Sequence, residues 1–407
     1  MHPVLAFLIC LSSFAFSVLL GLYASNRFRK LERQLEEARP FFNELLQKDN
    51  LRAARAFHEK AAGRKRILYV IEGFGAVGGT ETRLESEMKW LGEHGWACAL
   101  CLMYVKYPPL WTKDLTRFTL SFREESFTER LAEIVRAGKF DTVEFVFLSW
   151  EHIRRMALEG LKKEARVGAL FTTPSRMPQA LSQGFDYRII VNDKSHGAIA
   201  DSVMVPNWLR NPVMRLWRFE GQKKALFISR HCADKLSTLR NFLDICEKYG
   251  VEPVVAGPAA ERDKRVLAQL KRAAPENILG TIETVRYLEE HAKEYLFVGG
   301  VGMVVLEAAS LGVPALICPH IRSASEARFV TDANFPYFAS WNFVIKTRPP
   351  KDAQGRVESF FDALKTGGVQ SFLVSEDRFG DLLIDNAMRR TQSVLLGVQE
   401  KNGGGKN

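Results

Sequence analysis

Two cations stand five positions apart after an apolar stretch, Arg230 and Lys235 in the run KKALFISRHCADK. The apolar part has the length of a β-strand, so both side chains would lie at or just after the end of that strand. Paired cations in a partly desolvated cleft stabilise the charge that develops on a leaving diphosphate. The alternative is two solvated surface charges, which is how most Lys and Arg side chains occur.

A single carboxylate, Glu307, interrupts the apolar run VGGVGMVVLEAASLGVPALI at residues 298–317. A buried carboxylate is costly unless it is hydrogen-bonded, so this one either lies exposed at a helix end or serves a ligand. Gly299, Gly300 and Gly302 predict a turn, and the amides at the start of the helix that follows would bind an anion. Glu307 would then accept hydrogen bonds from a neutral hydroxyl donor such as a ribose diol.

Gly78 and Gly79 end a glycine-rich loop between a predicted strand and a predicted helix, in ILYVIEGFGAVGGTETRLESEM. Small residues allow backbone amides to approach a phosphate or a sugar closely. Tight packing of the turn is an equally good explanation of these glycines. Their spacing does not fit the dinucleotide-binding pattern.

Strand-like apolar runs alternate with helical patterns through most of the 407-residue chain, in two successive blocks. This order predicts an α/β fold of two Rossmann-like, doubly wound domains, residues 64–206 and 207–372, that face a cleft. A helix is predicted within residues 373–400, and residues 401–407, KNGGGKN, are expected to be a disordered tail.

Residues 3–24 are uncharged and mostly apolar, and four basic residues follow at positions 27–33. This length is enough to cross a bilayer as a helix. A cleaved signal peptide would carry its basic residues before the apolar core, so we expect an uncleaved transmembrane anchor over residues 1–26. The positive-inside rule then places the body of the protein on the cytoplasmic face. Residues 27–63 are basic and amphipathic, and they predict a helical stalk linking the anchor to the body.

The net charge is +10, and residues 26–66 hold twelve basic residues against six acidic ones. Such a segment attracts anionic lipid headgroups, although a positive-inside flank alone would have the same composition. No nucleic-acid-binding signature accompanies the charge, so nucleic acid is not an expected partner. The six cysteines lack the paired spacing of a zinc site, and we expect them to be reduced, buried thiols.

The segment GGVGMVVLEAASLGVPALI resembles the signature of the GT-B glycosyltransferases of family 4 (group 1). Three other segments match that family in the same order: the GGTE loop at 78–81, VPN at 205–207 and SRxxxxK at 229–235. The resemblance covers about residues 66–370. It implies a retaining transferase that uses a nucleotide-sugar donor without a metal ion or another cofactor, and the sequence has no Asp-x-Asp metal motif.

The resemblance also implies roles for single residues. Arg230 and Lys235 would hold the donor diphosphate, and Glu307 would bind the nucleotide ribose. The GGTE loop would close over the donor phosphates, with the first domain facing the acceptor and the second binding the donor. The donor-binding residues implied in this way are Gly78, Gly79, Arg230, Lys235, Gly300, Gly302 and Glu307.

Two positions depart from the family pattern. The first glutamate of the E-x7-E motif falls at Gly299, and in the family that glutamate is associated with the transferred sugar. A histidine expected after a middle strand of the first domain is replaced by Thr and Ser within residues 172–175. His152 and His196 are nearby in sequence, but each is expected to be an ordinary surface or loop histidine.

The segment WLRNPVMRLWRF, residues 208–219, interleaves apolar and basic side chains. It would either contact a bilayer surface or lipid acceptor, or pack between the domains. Pro212 argues against one long amphipathic helix in this segment.

The sequence therefore predicts a membrane-anchored glycosyltransferase with a lipid-linked or envelope-polysaccharide acceptor, of the kind used in lipopolysaccharide synthesis. An anchor would raise the local concentration of such an acceptor at the cleft. Gly299 and the missing histidine leave open a second class, a GT-B scaffold or regulatory protein of polysaccharide assembly that has lost catalysis. A nucleotide-sugar epimerase is the third alternative, because GT-B folds also support that reaction.

Overall fold

The computed structural model of the protein describes most of the chain from residue 43 onward. The described residues are 43–73, 79–104, 112–120, 126–146, 158–171, 184–191, 199, 201–209, 213–258, 263–346, 348–350 and 354–397. The predicted anchor lies outside this set, as do Gly78, His152, His196 and residues 172–175. Among the helices that are described, none has the length and apolar character needed to cross a membrane.

The first domain contains a seven-stranded, all-parallel sheet in the order β3-β2-β1-β4-β5-β6-β7. Its strands are β1 (Lys65–Gly73), β2 (Trp96–Tyr104), β3 (Thr116–Thr119), β4 (Thr142–Val146), β5 (Arg166–Phe171), β6 (Tyr187–Ile190) and β7 (Val203–Met204). Its helices are α1 (residues 43–60), α2 (Gly79–Glu93), α3 (Phe127–Gly138) and α4 (Leu158–Lys162).

Helix α1 occupies the second half of the predicted stalk and packs onto the first domain. Ala54 and Phe57 are buried, and the Phe57 ring stacks on Phe140 with 5.1 Å between centroids. Near the start of α1, the Gln47 amide donates to the backbone carbonyl of Arg130 at 3.1 Å. The apolar face of this amphipathic helix therefore contributes to the core of the first domain.

The second domain contains a six-stranded sheet in the order β10-β9-β8-β11-β12-β13, parallel except for β13. Its strands are β8 (Lys224–Ile228), β9 (Glu252–Ala256), β10 (Ile278–Leu279), β11 (Tyr295–Gly300), β12 (Ala315–Ile317) and β13 (Arg328–Phe329). The helices from here on are α5 (Leu236–Tyr249), α6 (Lys264–Leu270), α7 (Thr284–His291), α8 (Met303–Ser310), α9 (Phe335–Ala339), α10 (Val357–Thr366) and α11 (Ile384–Leu396).

Both sheets reverse their strand order next to the first strand of the domain. The chain steps outward from β1 to β3 and then returns to β4 on the other side of β1, and it does the same from β8 to β10 and back to β11. In α/β folds, ligands bind in the crevice that forms at such a reversal, outside the carboxyl ends of the strands. Arg230 follows β8 and Gly302 follows β11, so two predicted site segments begin at one reversal.

Aromatic rings fill much of the second domain's core. Phe242 lies 6.0 Å from Phe297, Phe297 lies 5.3 Å from Phe329, and Phe329 stacks on Phe360 at 4.0 Å between centroids. Edge-to-face and offset-stacked pairs add about 0.5–1.5 kcal/mol each beyond the burial of their area. Phe297 belongs to β11, so these rings pack against the strand that leads to the glycine turn.

One row of paired residues crosses the first sheet and carries polar side chains. The strand register pairs Tyr69 with Glu144, Glu144 with Gly168, and Gly168 with Tyr187. The Tyr187 hydroxyl donates to Oε2 of Glu144 at 3.1 Å, which requires its ring to pass over Gly168. A Cβ atom at position 168 would lie 2.0 Å from that ring, so glycine is the residue that leaves room for the contact.

Helix α2 lies over this row and adds two more buried side chains, Arg83 and Glu87. The Tyr69 hydroxyl donates to Oε1 of Glu87 at 2.8 Å, and Nε of Arg83 lies 3.9 Å from Oε2 of Glu87. Burial raises the pKa of Glu144, and the nearby charge of Glu87 raises it further. Burial likewise raises the pKa of Glu87, against the opposing effect of Arg83. Both shifts favour the protonated form of these carboxyls, while Arg83 stays charged because a guanidinium does not deprotonate in proteins.

Helix α11 returns from the second domain to the first. Met388 and Leu395 are buried in the first domain's core. Nε1 of Trp90, on α2, donates to Oδ1 of Asp385 at 2.8 Å. The end of the chain therefore ties helix α2 to the second domain.

Apolar residues in the described part of the segment 208–219 pack into the cores of the two domains. Trp208, Leu209 and Trp217 are buried, and Nε1 of Trp217 donates to the carbonyl of Tyr295 at 2.8 Å. Phe219 remains 44% exposed at the end of the segment. Trp208 lies in the core of the first domain and Trp217 in the core of the second.

The predicted α/β class with two largely parallel sheets is confirmed. Strands β3 and β13 were not predicted, because runs of 4 and 2 residues carry little periodic signal. The chain over Glu376–Leu382 is a 3₁₀ helix, so the terminal segment predicted to be helical becomes α-helical only at Ile384.

The glycine at position 168 provides the first test of the fold. We expect Gly168→Ala to lower the free energy of unfolding of the first domain by about 1–3 kcal/mol, because overpacking forces the Tyr187 ring to move. Gly160→Ala in α4 is the matched control, since a Cβ there meets nothing within 4 Å. Urea unfolding followed by tryptophan fluorescence would measure both variants, and equal stabilities would contradict the described packing.

The raised pKa of Glu144 predicts that the stability of the protein depends on pH. The pKa of Glu144 is higher in the folded than in the unfolded protein. Its contribution to stability is therefore full at a pH below its pKa in the unfolded chain, and it is lost as pH rises toward its pKa in the folded protein. We expect Glu144→Gln to gain stability relative to the natural protein as pH rises from about 5 to 8, by at most about 1.4 kcal/mol per pH unit. Thermal unfolding across this range, with exposed Glu159→Gln as control, measures the difference. Parallel curves for Glu144→Gln and the natural protein would show that folding does not raise the pKa of Glu144.

Candidate active site

A cavity of about 390 Å³ lies between the two domains. Thr82 and Asn207 line it from the first domain, and the segments after β8, β10 and β11 line it from the second. Its volume lies in the range of small-molecule sites, about 300–1,000 Å³. The predicted site residues that line this cavity are Arg230, Lys235, Gly302 and Glu307.

The two predicted cations lie where β8 leads into α5. Arg230 is exposed, and Lys235 ends the 3₁₀ turn Ala233–Lys235 with 21% of its side chain accessible. Nζ of Lys235 lies 3.5 Å from Oδ2 of Asp234. Partial burial raises the pKa of the Asp234 carboxyl, but a hydrogen bond from the Cys232 thiol and the charges of Lys235 and Arg230 outweigh it, so the pKa is lowered. The two cations thus create a positive potential at the start of α5.

His320 lies in the same positive region, after β12. Burial, together with the charges of Lys235 and Lys346, lowers its pKa to about 4. The imidazole is therefore neutral at physiological pH and adds no charge of its own. An anion bound here would be held by Lys235 and Arg230.

Helix α8 begins at the cavity with a glycine N-cap. Gly302 has a φ of 67°, a left-handed conformation that glycine adopts without strain. Its own amide donates to the carbonyl of Phe343 at 3.0 Å. The next two amides, of Met303 and Val304, have no hydrogen-bond partner among the described residues, and they carry the positive end of the helix dipole.

Glu307 lies one turn into α8 and is only 4% exposed. It lines the cavity together with the helix start, so its carboxylate belongs to the same site as the two cations. Glu307 is therefore not exposed at a helix end, which was one of the two alternatives that the sequence left open.

Gly299 and Gly300 are the last residues of β11 and do not belong to the turn. A Cβ at 299 would lie 2.7 Å from the Phe242 ring and 3.4 Å from Sγ of Cys318. A Cβ at 300 would lie 2.9 Å from Val304. The predicted three-glycine turn is therefore shorter than expected. Neither glycine lines the cavity, and both permit close packing behind it.

A hydrogen bond joins the two domains at the cavity. Nδ2 of Asn207 donates to Oδ1 of Asn342 at 2.9 Å, and Nη1 of Arg83 donates to Oδ1 of Asn207 at 3.1 Å. Arg83 also packs over the Trp208 ring at 4.2 Å and donates to the carbonyl of Val205 at 3.1 Å. The VPN segment is thus held by the first domain and contacts the second.

Sequence reasoning missed several of these residues. Arg83 has no sequence signal, because a charged residue on an amphipathic helix is ordinarily exposed. Asn342 lies in a segment of the second domain without a predicted element. Residues 281–284, which also line the cavity, come after the two-residue strand β10. Glu144 had a usable signal, since it is a single charge in the apolar strand of FDTVEFVFL.

Two parts of the predicted site remain predictions. Gly78 and the residues that replace the expected histidine lie outside the described residues, while Gly79 begins helix α2. Among the described residues, no group of three or more His, Cys, Asp or Glu side chains is placed to hold a metal ion. Metal independence is therefore still an expectation.

The two-domain architecture recurs in solved glycosyltransferases. The lipopolysaccharide outer core galactosyltransferase WaaB, in its apo form, matches with a TM-score of 0.57 at 13% identity over 82% of this chain and 100% of its own. HepE from Anabaena, in complex with UDP and glucose, matches with a TM-score of 0.56 at 11% identity over 82% and 100%. A glycosyltransferase from Rickettsia africae ESF-5 matches with a TM-score of 0.53 at 10% identity over 83% and 100%.

At these identities the likeness shows the fold, and the expected GT-B architecture is confirmed. No protein-family model and no curated protein matches the sequence. The chemistry of this protein must therefore be argued from its own cavity.

The close packing around Gly299 can be tested by substitution at this position. We expect Gly299→Ala to destabilise the second domain by about 1–3 kcal/mol through contact with the Phe242 ring. Gly299→Glu should destabilise it more, because the added carboxylate would enter an apolar core. Exposed Gly280→Ala, where a Cβ meets nothing within 4 Å, is the control. Thermal unfolding measures the series, and a Gly299→Glu protein as stable as the natural one would contradict the described geometry.

Proposed function

We propose that the protein is a retaining glycosyltransferase that takes its sugar from a nucleotide-sugar donor bound in the interdomain cavity. The observation that carries the proposal is the meeting of Arg230, Lys235 and the start of α8 with Glu307 in one cavity. Cations and helix-start amides suit a diphosphate, and a buried carboxylate suits a diol. A nucleotide sugar presents both groups in one molecule.

The donor is proposed to be a UDP-sugar. HepE, which has this fold, has been solved with UDP and glucose. The carboxylate of Glu307 would accept hydrogen bonds from the ribose hydroxyls, while Arg230 and Lys235 would hold the diphosphate. The loop at Gly78 and Gly79 would close over the phosphates from the first domain.

In the transfer step, the bond between the sugar's anomeric carbon and the diphosphate oxygen breaks, and a bond to the acceptor hydroxyl forms. UDP leaves with the bonding electrons, and the hydroxyl proton passes to a phosphate oxygen on the same face of the sugar. Arg230, Lys235 and the amides of Met303 and Val304 would stabilise the charge that grows on the leaving group. No metal ion is needed in this scheme, because those groups supply the positive charge.

The acceptor is proposed to be a lipid-linked or envelope glycan at a membrane. The apolar length of residues 3–24 and the basic residues that follow support this part of the proposal. Helix α1 follows that basic segment in the sequence and packs onto the first domain, which is the side where the acceptor would bind. The body of the protein would then lie on the cytoplasmic face.

A GT-B scaffold without catalysis is the second candidate, and Gly299 favours it. The position where the family carries a sugar-binding glutamate is packed against Phe242 and offers no group to the cavity. Slow release of UDP from UDP-sugars by the full-length protein, followed by chromatography, distinguishes the two. Tight UDP binding without any UDP release from UDP-glucose, UDP-galactose or their N-acetyl forms would favour the scaffold.

Donor binding makes the decisive test of the site. We expect Arg230→Ala to weaken UDP binding about 10- to 100-fold, because a hydrogen bond to a charged group contributes about 1.5–3 kcal/mol. Glu307→Gln should weaken it about tenfold through poorer hydrogen bonds to the ribose. Exposed Arg389→Ala on α11 is the matched control. Calorimetric titration with UDP measures all three, and unchanged affinity in both site variants would reject the assignment.

A further inference from the structure

We infer that Asn342 is the contact that recognises the transferred sugar, and that Asn207 orients it across the domain interface. The inference rests on the proposed function, since it concerns the same nucleotide-sugar donor. Asn342 would take the place of the sugar-binding carboxylate that the family pattern has at position 299. Both asparagines line the interdomain cavity.

The orientation of both amides follows from Arg83. A guanidinium only donates hydrogen bonds, so the atom of Asn207 facing Nη1 of Arg83 must be the amide oxygen. Nδ2 of Asn207 is then the atom that faces Asn342 and donates to its Oδ1 at 2.9 Å. The remaining polar atom of the Asn342 side chain is Nδ2, which has no hydrogen-bond partner among the described residues.

Several contacts hold the Arg83 side chain in place, so that it can determine the orientation of both amides. It is 4% exposed, it packs over Trp208, and it donates to the carbonyls of Val205 and Pro206 at 3.1 and 3.3 Å. Glu87 lies beside it in the buried polar cluster of the first domain. The amide of Asn342 is thus oriented by a chain of donors that begins inside the other domain.

The backbone of Asn342 is also unusual. Asn342 and Phe343 have φ values of 53° and 54°, two successive left-handed residues without a glycine. Such conformations are strained for residues other than glycine and occur mainly where the surroundings hold them in place, often at functional sites. Here the Phe343 carbonyl accepts the Gly302 amide at 3.0 Å, and the Phe343 amide donates to the Phe338 carbonyl at 2.8 Å. The strained pair therefore places Asn342 against the start of α8.

The chemistry of this position fits a sugar hydroxyl better than a phosphate. The diphosphate already has Arg230, Lys235 and helix-start amides, whereas Asn342 offers a neutral amide donor beside Gly302. A neutral N–H donor suits a hydroxyl oxygen, and its removal leaves binding of the nucleotide itself intact. Asn342 would be the specificity-determining residue, and Asn207 would be a positioning residue.

The test compares the affinities of the full-length protein for UDP-glucose and for UDP, both by calorimetry. In Asn342→Gly the left-handed backbone is retained and the side chain is lost. We expect the ratio of UDP-glucose affinity to UDP affinity to fall about two- to tenfold, the loss expected from one neutral hydrogen bond. UDP affinity itself should be unchanged, which also shows that the variant is folded.

Asn207→Asp tests whether Asn207 orients the Asn342 amide or only links the two domains. The substituted carboxylate still accepts from Arg83 and can accept from Asn342, so the interdomain hydrogen bond is kept. The Asn342 amide must then turn, and it presents its oxygen to the ligand. We expect the same fall in the affinity ratio as in Asn342→Gly. The added negative charge would weaken the binding of UDP more than the binding of UDP-glucose. Charge alone would therefore raise the affinity ratio and cannot produce the expected fall.

Each outcome decides the inference. An unchanged ratio in Asn342→Gly, or equal losses for both ligands, would overturn the sugar contact. A fall in Asn342→Gly without a fall in Asn207→Asp would overturn the orienting role of Asn207. Asn386→Asp, the same change at an exposed site of α11, should leave the ratio unaltered. If the natural protein binds neither ligand, the proposed function fails, and the inference fails with it.

Discussion

The buried guanidinium of Arg83 is the interaction on which the rest of the site depends. It links helix α2 to the VPN segment at the end of the first domain, through hydrogen bonds to Val205, Pro206 and Asn207. A buried charge is costly unless it is paired, and here the carboxyl of Glu87 lies 3.9 Å from Nε of Arg83 while Nη1 donates to the VPN segment. The same constraint fixes where the first domain meets the second.

The cavity is a consequence of topology combined with local packing. Each sheet reverses its strand order next to its first strand, so the strand ends and helix starts of both domains converge on one crevice. The cations after β8 and the helix start after β11 lie there for that reason. Gly299 does not line the cavity. It lies within β11, where Phe242 and Cys318 pack closely against it. A group that recognises the sugar must therefore come from another element.

The sequence predicted the fold class and the core of the site, and the reasons it missed the rest are physical. Arg230, Lys235 and Glu307 stood out because each is a charge beside or within an apolar run. The repeating strand and helix pattern placed the two cations at a strand end and Glu307 in the helix that follows a glycine turn. Arg83 and Asn342 could not be recognised, because their roles depend on contacts between residues far apart in the sequence that no local pattern encodes. The turn was predicted too long, since glycines at 299 and 300 are required by packing within the strand. Glu144 carried the same signal as Glu307, but its carboxyl accepts a hydrogen bond from Tyr187 inside the first domain.

The central claim is that a nucleotide sugar binds between the domains with its diphosphate at Arg230 and Lys235 and its ribose at Glu307. A crystal structure of the full-length protein with UDP-glucose tests it most directly. The claim predicts phosphate oxygens within about 3 Å of both cations and ribose hydroxyls at a similar distance from the Glu307 carboxylate. Nucleotide bound outside this cavity, or bound in it with the Glu307 carboxylate away from the ribose, would contradict the claim.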